Sequence, residues 1–192
     1  MPPKVKITKD EIVQTALALL RKDGEAAINA RSIAAAMHCS TQPVFSNFAT
    51  MEQLQQTVME AAYKLYLSFL QAEVESGRYP PYKAYGMAYI RFANEEKELF
   101  KLLFMCDREG KPPTPTADFT SSVEMIMQSN AMTRERAERM HLEMWTCVHG
   151  IGTMLATSFF APEWELISEM VTDVYQGLRM RHMQEGNEHG SN

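Results

Sequence analysis

Two groups of polar side chains in this 192-residue chain have types and spacings that suit chemistry. Ser40, Thr41, Gln42, Ser46 and Asn47 crowd one short segment. Gln can read adenine with two hydrogen bonds, and Ser or Thr can serve either a base edge or a phosphate. Lys4, Lys6 and Lys9 form a basic arm ahead of them, able to reach an adjacent phosphate backbone. Arg31 opens a neighbouring segment, where helix N-terminal amides also favour a phosphate. The second group is Glu138-x-x-His141, the spacing that di-iron helical bundles use. Such centres need a second copy and two further inward glutamates. His149 has Thr146, not Glu, three positions before it. There is also no Gly-rich phosphate loop, no HExxH, no GxSxG and no nucleophile with its base. These residues predict a binding protein, not an enzyme, with no catalytic residue, metal or cofactor.

Charge is the first objection to a nucleic-acid partner. Nineteen Lys and Arg against 24 Asp and Glu leave a net charge of −5, whereas phosphate neutralisation wants a positive balance. The distribution answers the objection. Residues 1–50 carry six basic and four acidic groups, a net of +2, and residues 51–192 carry 13 and 20, a net of −7. The acid limits non-specific adhesion in the body while the head keeps a small positive excess. So small an excess predicts that two heads are needed for useful binding, and that affinity falls quickly with salt.

Cys39, Cys106 and Cys147 are odd in number and contain no CxxC pair, so they read as free thiols in a reducing cytoplasm. The start lacks the apolar run of a secretory signal, and no apolar stretch approaches the length of a membrane span. A soluble cytoplasmic chain is expected.

Helices must position these groups, because strand-like alternation is nearly absent. Thr8 and Glu11 make a capping box, and Ile12, Ala16, Leu19 and Leu20 share one face until Asp23-Gly24. Asn29 caps a second helix through Met37, with Ile33 and Met37 inward. Ser40 caps a third, short helix with Pro43 in its first turn, anchored by Val44, Phe45 and Phe48. Thr50 and Gln53 open a long helix to about residue 76. Helical pattern resumes over 82–106 with a bend near Asn94, and the Pro- and Gly-rich stretch 107–116 reads as an exposed loop. Three more helices are expected near 117–131, 133–160 and 163–184. The fold class is all-α. A helix-turn-helix head spans 1–50, a larger helical body spans 51–184, and 185–192 is a disordered tail. Spacing alone fits a solvated polar face on a three-helix scaffold equally well.

The stretches "EIVQTALALLRKDG", "INARSIAAAM", "CSTQPVFSNF" and "TMEQL", within Ile7–Leu54, resemble the DNA-binding domain of TetR-family transcriptional regulators. The resemblance implies a helix-turn-helix over about 29–48 in a homodimer that represses transcription until a small ligand binds the body. Position by position, Arg31 and Ser40 match phosphate-contacting sites, and Thr41, Gln42 and Ser46 match the variable base-reading face. Four positions depart from the pattern. His38 stands where the turn usually has Gly, which is a modest strain if φ is positive there. Phe45 replaces a Tyr able to contact phosphate, Asn47 replaces a His or Tyr, and Met51 replaces a Lys. One lost phosphate charge lowers the salt slope by about one unit per subunit.

Residues 85–105 and the segment "WTCVHGIG" also resemble the ligand-binding and dimerisation body of such regulators, with Trp145, His149 and Gly150 matching one subgroup. Trp145, Val148, Gly152, Leu155 and Ala156 fall on one side of a helix. Leu166, Ile167, Met170, Val171, Val174 and Leu178 make a wide apolar face on the last one. Two such helices per subunit could build a four-helix dimer interface, with Gly152, Leu155, Ala156, Leu166, Met170, Val174 and Leu178 in contact. The same faces could equally complete the monomer core. Eleven of the fifteen methionines lie in 87–183. With Tyr66, Phe69, Tyr85, Tyr89, Phe92, Phe104 and Trp145 they could line an apolar pocket, or simply fill the core. Cys106, His141, His149 and Arg91 are candidate polar groups in that pocket.

The expected function is a ligand-responsive, sequence-specific DNA-binding repressor, released from a near-palindromic double-stranded operator by a small, largely apolar effector. The alternative is a helical small-molecule binding or interaction protein with weakened DNA binding.

Overall fold

Thr8 starts the first helix by the predicted capping box: its Oγ1 accepts from Glu11 N at 3.2 Å, and its own N–H donates to Glu11 Oε2 at 2.7 Å. This computed structural model describes residues 7–106 and 117–188, with side chains through Phe119–Met183 in the second stretch. Their helices are α1 (Lys9–Asp23), α2 (Ala30–Ala36), α3 (Gln42–Asn47), α4 (Met51–Glu75), α5 (Pro81–Glu95), α6 (Lys97–Phe104), α7 (Ala117–Asn130), α8 (Arg134–Ala156) and α9 (Trp164–Glu188), with one 3-10 turn over Glu25–Ala27. No strand occurs among the described residues, so the class is all-α. None of these helices is long and apolar enough to cross a membrane. The arm residues Lys4 and Lys6 and the stretch 107–116 lie outside the described residues.

The chain forms two units. The first contains the described residues through Leu67 together with Glu96–Cys106, so it extends past residue 50 and includes α6. Ile12, Val13, Ala16, Leu17 and Leu20 of α1 are buried, and α1 packs on α2, α3 and α6. Asn29 caps α2 by accepting from Ser32 N at 2.9 Å. The expected bend near Asn94 is a full break at Glu96, whose φ −120° and ψ 55° leave the helical region.

In the second unit α8 packs on α5, α7 and α9. Its buried stripe is Met140, Met144, Val148, Ile151 and Leu155, a run at helical spacing. A Cβ on Gly86 would stand 3.4 Å from Val148 Cγ2, so glycine lets α5 approach α8 closely. Two expected boundaries differ: α8 ends at Ala156, not near 160, and α9 continues to Glu188, past residue 184.

Candidate nucleic-acid interface

Met37 to Thr41 turn the chain between α2 and α3. His38 has φ 52°, the left-handed conformation expected of a residue in the place of a glycine. It allows Cys39 N to donate to Ala34 O at 2.9 Å, closing the end of α2. The residue preceding α3 is Thr41, not Ser40, and its backbone is already helical (φ −71°, ψ −11°), with no capping bond from its side chain. Pro43 is tolerated in that first turn because its missing N–H would have no helical partner.

Val44 and Phe48 are each 1% exposed and set the roll of α3 against the first unit's core. They lie four residues apart, on one helix face. Phe45 is about one quarter-turn away and 55% exposed, which corrects the expectation that it anchors the helix. Arg31, Ser40, Gln42 and Ser46 are exposed, and Thr41 and Asn47 are half-buried. Two of these are committed internally. Ser46 Oγ donates to Gln42 O at 2.8 Å, and Asn47 Nδ2 donates to Pro43 O at 2.8 Å and to Ile7 O at 3.3 Å. Asn47 therefore ties α3 to the entry of α1. Lys9 Nζ lies 4.9 Å from the centre of the Phe48 ring.

The aromatic and polar residues expected to line a pocket divide between the units. Tyr66, Phe104 and Cys106 belong to the first, where Tyr66 and Phe104 pack edge to face and Cys106 is exposed. Tyr85, Tyr89, Phe92, His141, Trp145 and His149 belong to the second. Tyr89 Oη and His149 Nδ1 share a 2.8 Å hydrogen bond, and Trp145 stacks on the same imidazole with ring centres 4.9 Å apart. Burial pushes the His149 pKa below its ordinary value. Trp145 is exposed, so it lies at the edge of the α8 stripe and not within it. Phe92 is fully buried against Phe69.

His141 shares a 3.0 Å hydrogen bond with Tyr82 and packs edge to face on Phe119, while Glu138 is exposed and 3.8 Å from Arg134. The two ends of the Glu-x-x-His motif thus have different partners. Burial, and then the neighbouring Tyr175, holds the Tyr82 phenol protonated well above its usual range. Arg91 donates to Glu73 at 2.9 Å and lies 4.4 Å over the Trp164 ring. Sequence reasoning missed Glu73, which is 5% exposed. Its signal was faint: a lone acid inside the apolar stripe of α4.

Of the residues expected at a dimer interface, Gly152, Leu155 and Ala156 are already buried within their own chain, and Val174 and Leu178 are half-buried. Leu166 and Met170 are exposed. So are Leu142, Trp145, Phe159 and Phe160, with Phe159 at 83%. The open apolar surface of α8 and α9 is therefore formed by different α8 residues from those expected. α8 as a whole packs on α5, α7 and α9 of its own unit.

A first unit that opens with α1, α2 and α3 and a second unit that contains α5, α7, α8 and α9 make up this all-α fold. A search of solved structures places it among known chains. One neighbour is a protein of unknown function from Rhodococcus sp. RHA1, with TM-score 0.68, 20% identity, and coverage of 94% of this chain and 98% of that one. Another is a TetR-like transcriptional regulator from Rhodococcus sp. RHA1, with TM-score 0.59, 12% identity, and coverage of 96% and 98%. The chain shares its fold with both over nearly its whole length. No protein-family model and no curated protein matches the sequence.

Proposed function

We propose that the protein is a sequence-specific DNA-binding transcriptional regulator. The observation that carries this reading is the outward face of α3. Gln42 and its exposed neighbours Ser40 and Ser46 stand over a helix held by Val44 and Phe48, directly after a tight turn through His38. In a helix-turn-helix the second helix enters the major groove and presents its N-terminal side chains to base edges. The TetR-like fold of the Rhodococcus regulator supports the same reading.

The protein acts as a homodimer, because one head with a net of +2 has little electrostatic hold on DNA. The exposed apolar surface around Leu142, Phe160, Leu166 and Met170 is the surface that the partner covers. A small, largely apolar effector binds the second unit near Tyr85, Tyr89 and His149, and binding releases the operator by favouring a different separation of the two heads. Repression is the mode this implies.

The test is selection of duplex DNA from a random pool by the full-length protein at low salt. A near-palindromic motif is expected, with Gln42→Ala relaxing one position and Lys6→Ala weakening all sequences alike. Enrichment of nothing, together with ligand-induced thermal stabilisation, would instead establish a small-molecule carrier.

A further inference from the structure

We propose that the phenyl ring of Phe45 reads the C5-methyl group of a thymine, one base-pair step or so from an adenine read by Gln42. The inference rests on the DNA-binding reading above and adds the identity of the bases. It starts from what α3 leaves available. The Ser46 hydroxyl proton and both described bonds of the Asn47 amide nitrogen are directed at backbone carbonyls. Those bonds hold the helix and its junction with Ile7, and they take the donors that would otherwise reach a base.

Gln42 and Phe45 remain as the long, exposed side chains of α3. They are three residues apart and so share a face. Phe45 is 55% exposed although two larger constraints nearby, Val44 and Phe48, are each 1% exposed. A ring in that position has no hydroxyl to offer a phosphate, so its only attractive partner in a groove is apolar. The major groove offers one such group, the thymine methyl, and Phe is among the side chains that meet it. Three residues advance about 4.5 Å along a helix, and successive base pairs are about 3.4 Å apart. Contacts from Gln42 and Phe45 therefore fall on the same or adjacent base pairs, which puts A·T pairs at those positions of the half-site.

The test uses the full-length protein and the sequence it selects. Each thymine of that duplex is replaced in turn by uracil, symmetrically in both half-sites, which removes only the methyl group. Affinity is read by fluorescence anisotropy for the wild type and for Phe45→Ala. Burying one methyl group is worth roughly a fourfold change, so a symmetric pair should cost the wild type about fifteenfold. Phe45→Ala should bind the thymine and uracil duplexes equally while still preferring adenine at the Gln42 position. Its circular dichroism and melting temperature should match the wild type, because the ring lies outside the core. If every uracil duplex binds the wild type as tightly as thymine does, the inference is overturned while the DNA-binding reading stands. It is also overturned if the loss persists in Phe45→Ala. A pool that enriches no sequence overturns the DNA-binding reading and this inference with it.

Discussion

Arg21 on α1 and Glu96 at the start of α6, 75 residues apart in sequence, are joined by two parallel hydrogen bonds of 2.7 and 2.9 Å. Their bond raises the Arg21 pKa, against the opposing effect of burial. Glu96 is also where the chain enters the first unit for the second time, so the pair fastens α6 to the head's first helix. Arg21 is nearly half exposed, and such pairs contribute modestly even with two-pronged geometry. Glu96→Gln should lower the unfolding free energy by about 0.5–1 kcal/mol, with the loss shrinking at high salt. Urea denaturation at low and high ionic strength checks both statements. If the loss were equal at the two ionic strengths, it would not be an ion-pair effect.

His38 supplies a second, purely conformational prediction. Its φ of 52° costs a residue with a Cβ about 1–2 kcal/mol, less for His than for a branched side chain. The side chain is exposed, so its removal sacrifices no burial. His38→Gly should therefore raise stability by up to about 1 kcal/mol, offset in part by the larger backbone entropy glycine loses on folding. His38→Val should destabilise by more than that gain. The thermal midpoints of the two variants must move in opposite directions; a parallel shift would mean that contacts, and not φ, decide the position.

These two sites show what was legible beforehand. The Thr8 and Asn29 caps, the strained turn at His38, and the inward Val44 and Phe48 all follow from local rules, which the sequence carries within four residues. Phe45 was misplaced because a six-residue helix is too short for its apolar period to separate an anchor from an outward ring. The partner of Arg21 was invisible, since nothing local relates α1 to a segment 75 residues later. The same holds for Glu73, whose burial depends on Arg91 and Trp164 from two other helices. On α8 the error was one of phase. Trp145 sits three residues before Val148, close enough in angle to seem part of the stripe, yet it is exposed and stacked on His149.

The apolar surface of α8 and α9 yields a prediction about assembly. Phe160 and Leu142 are both more than half exposed, and in the proposed dimer each is covered by the partner. Phe160→Glu or Leu142→Arg should convert the dimer to a monomer in sedimentation velocity, since burying an unpaired charge in an apolar contact is strongly unfavourable. The helical content should remain, because neither side chain belongs to the chain's own core. Wild-type protein sedimenting as a monomer at tens of micromolar would remove the proposed interface.

His149 gives the pH dependence. Burial depresses its pKa below that of an exposed histidine, near 6.5, and its Nδ1 is engaged by Tyr89. Above that value both the folded and the unfolded chain hold the ring neutral, and the full stability is present. As pH falls through it, the unfolded chain takes up the proton first, so folding loses stability until the folded ring is protonated as well. The carboxylate of Glu143 acts in the same direction but lower. Burial pushes its pKa up, the bonds from His182 and Arg181 outweigh that, and the net value lies below the usual 4.5. The loss from His149 therefore begins at a higher pH than the loss from Glu143. Between pH 7.5 and 5.5 the wild type should lose melting temperature faster than His149→Gln, a variant whose uncharged amide can still bond to the Tyr89 hydroxyl. Parallel slopes over the whole range would show that His149 titrates alike in the folded and unfolded chain, against the burial the structure gives it.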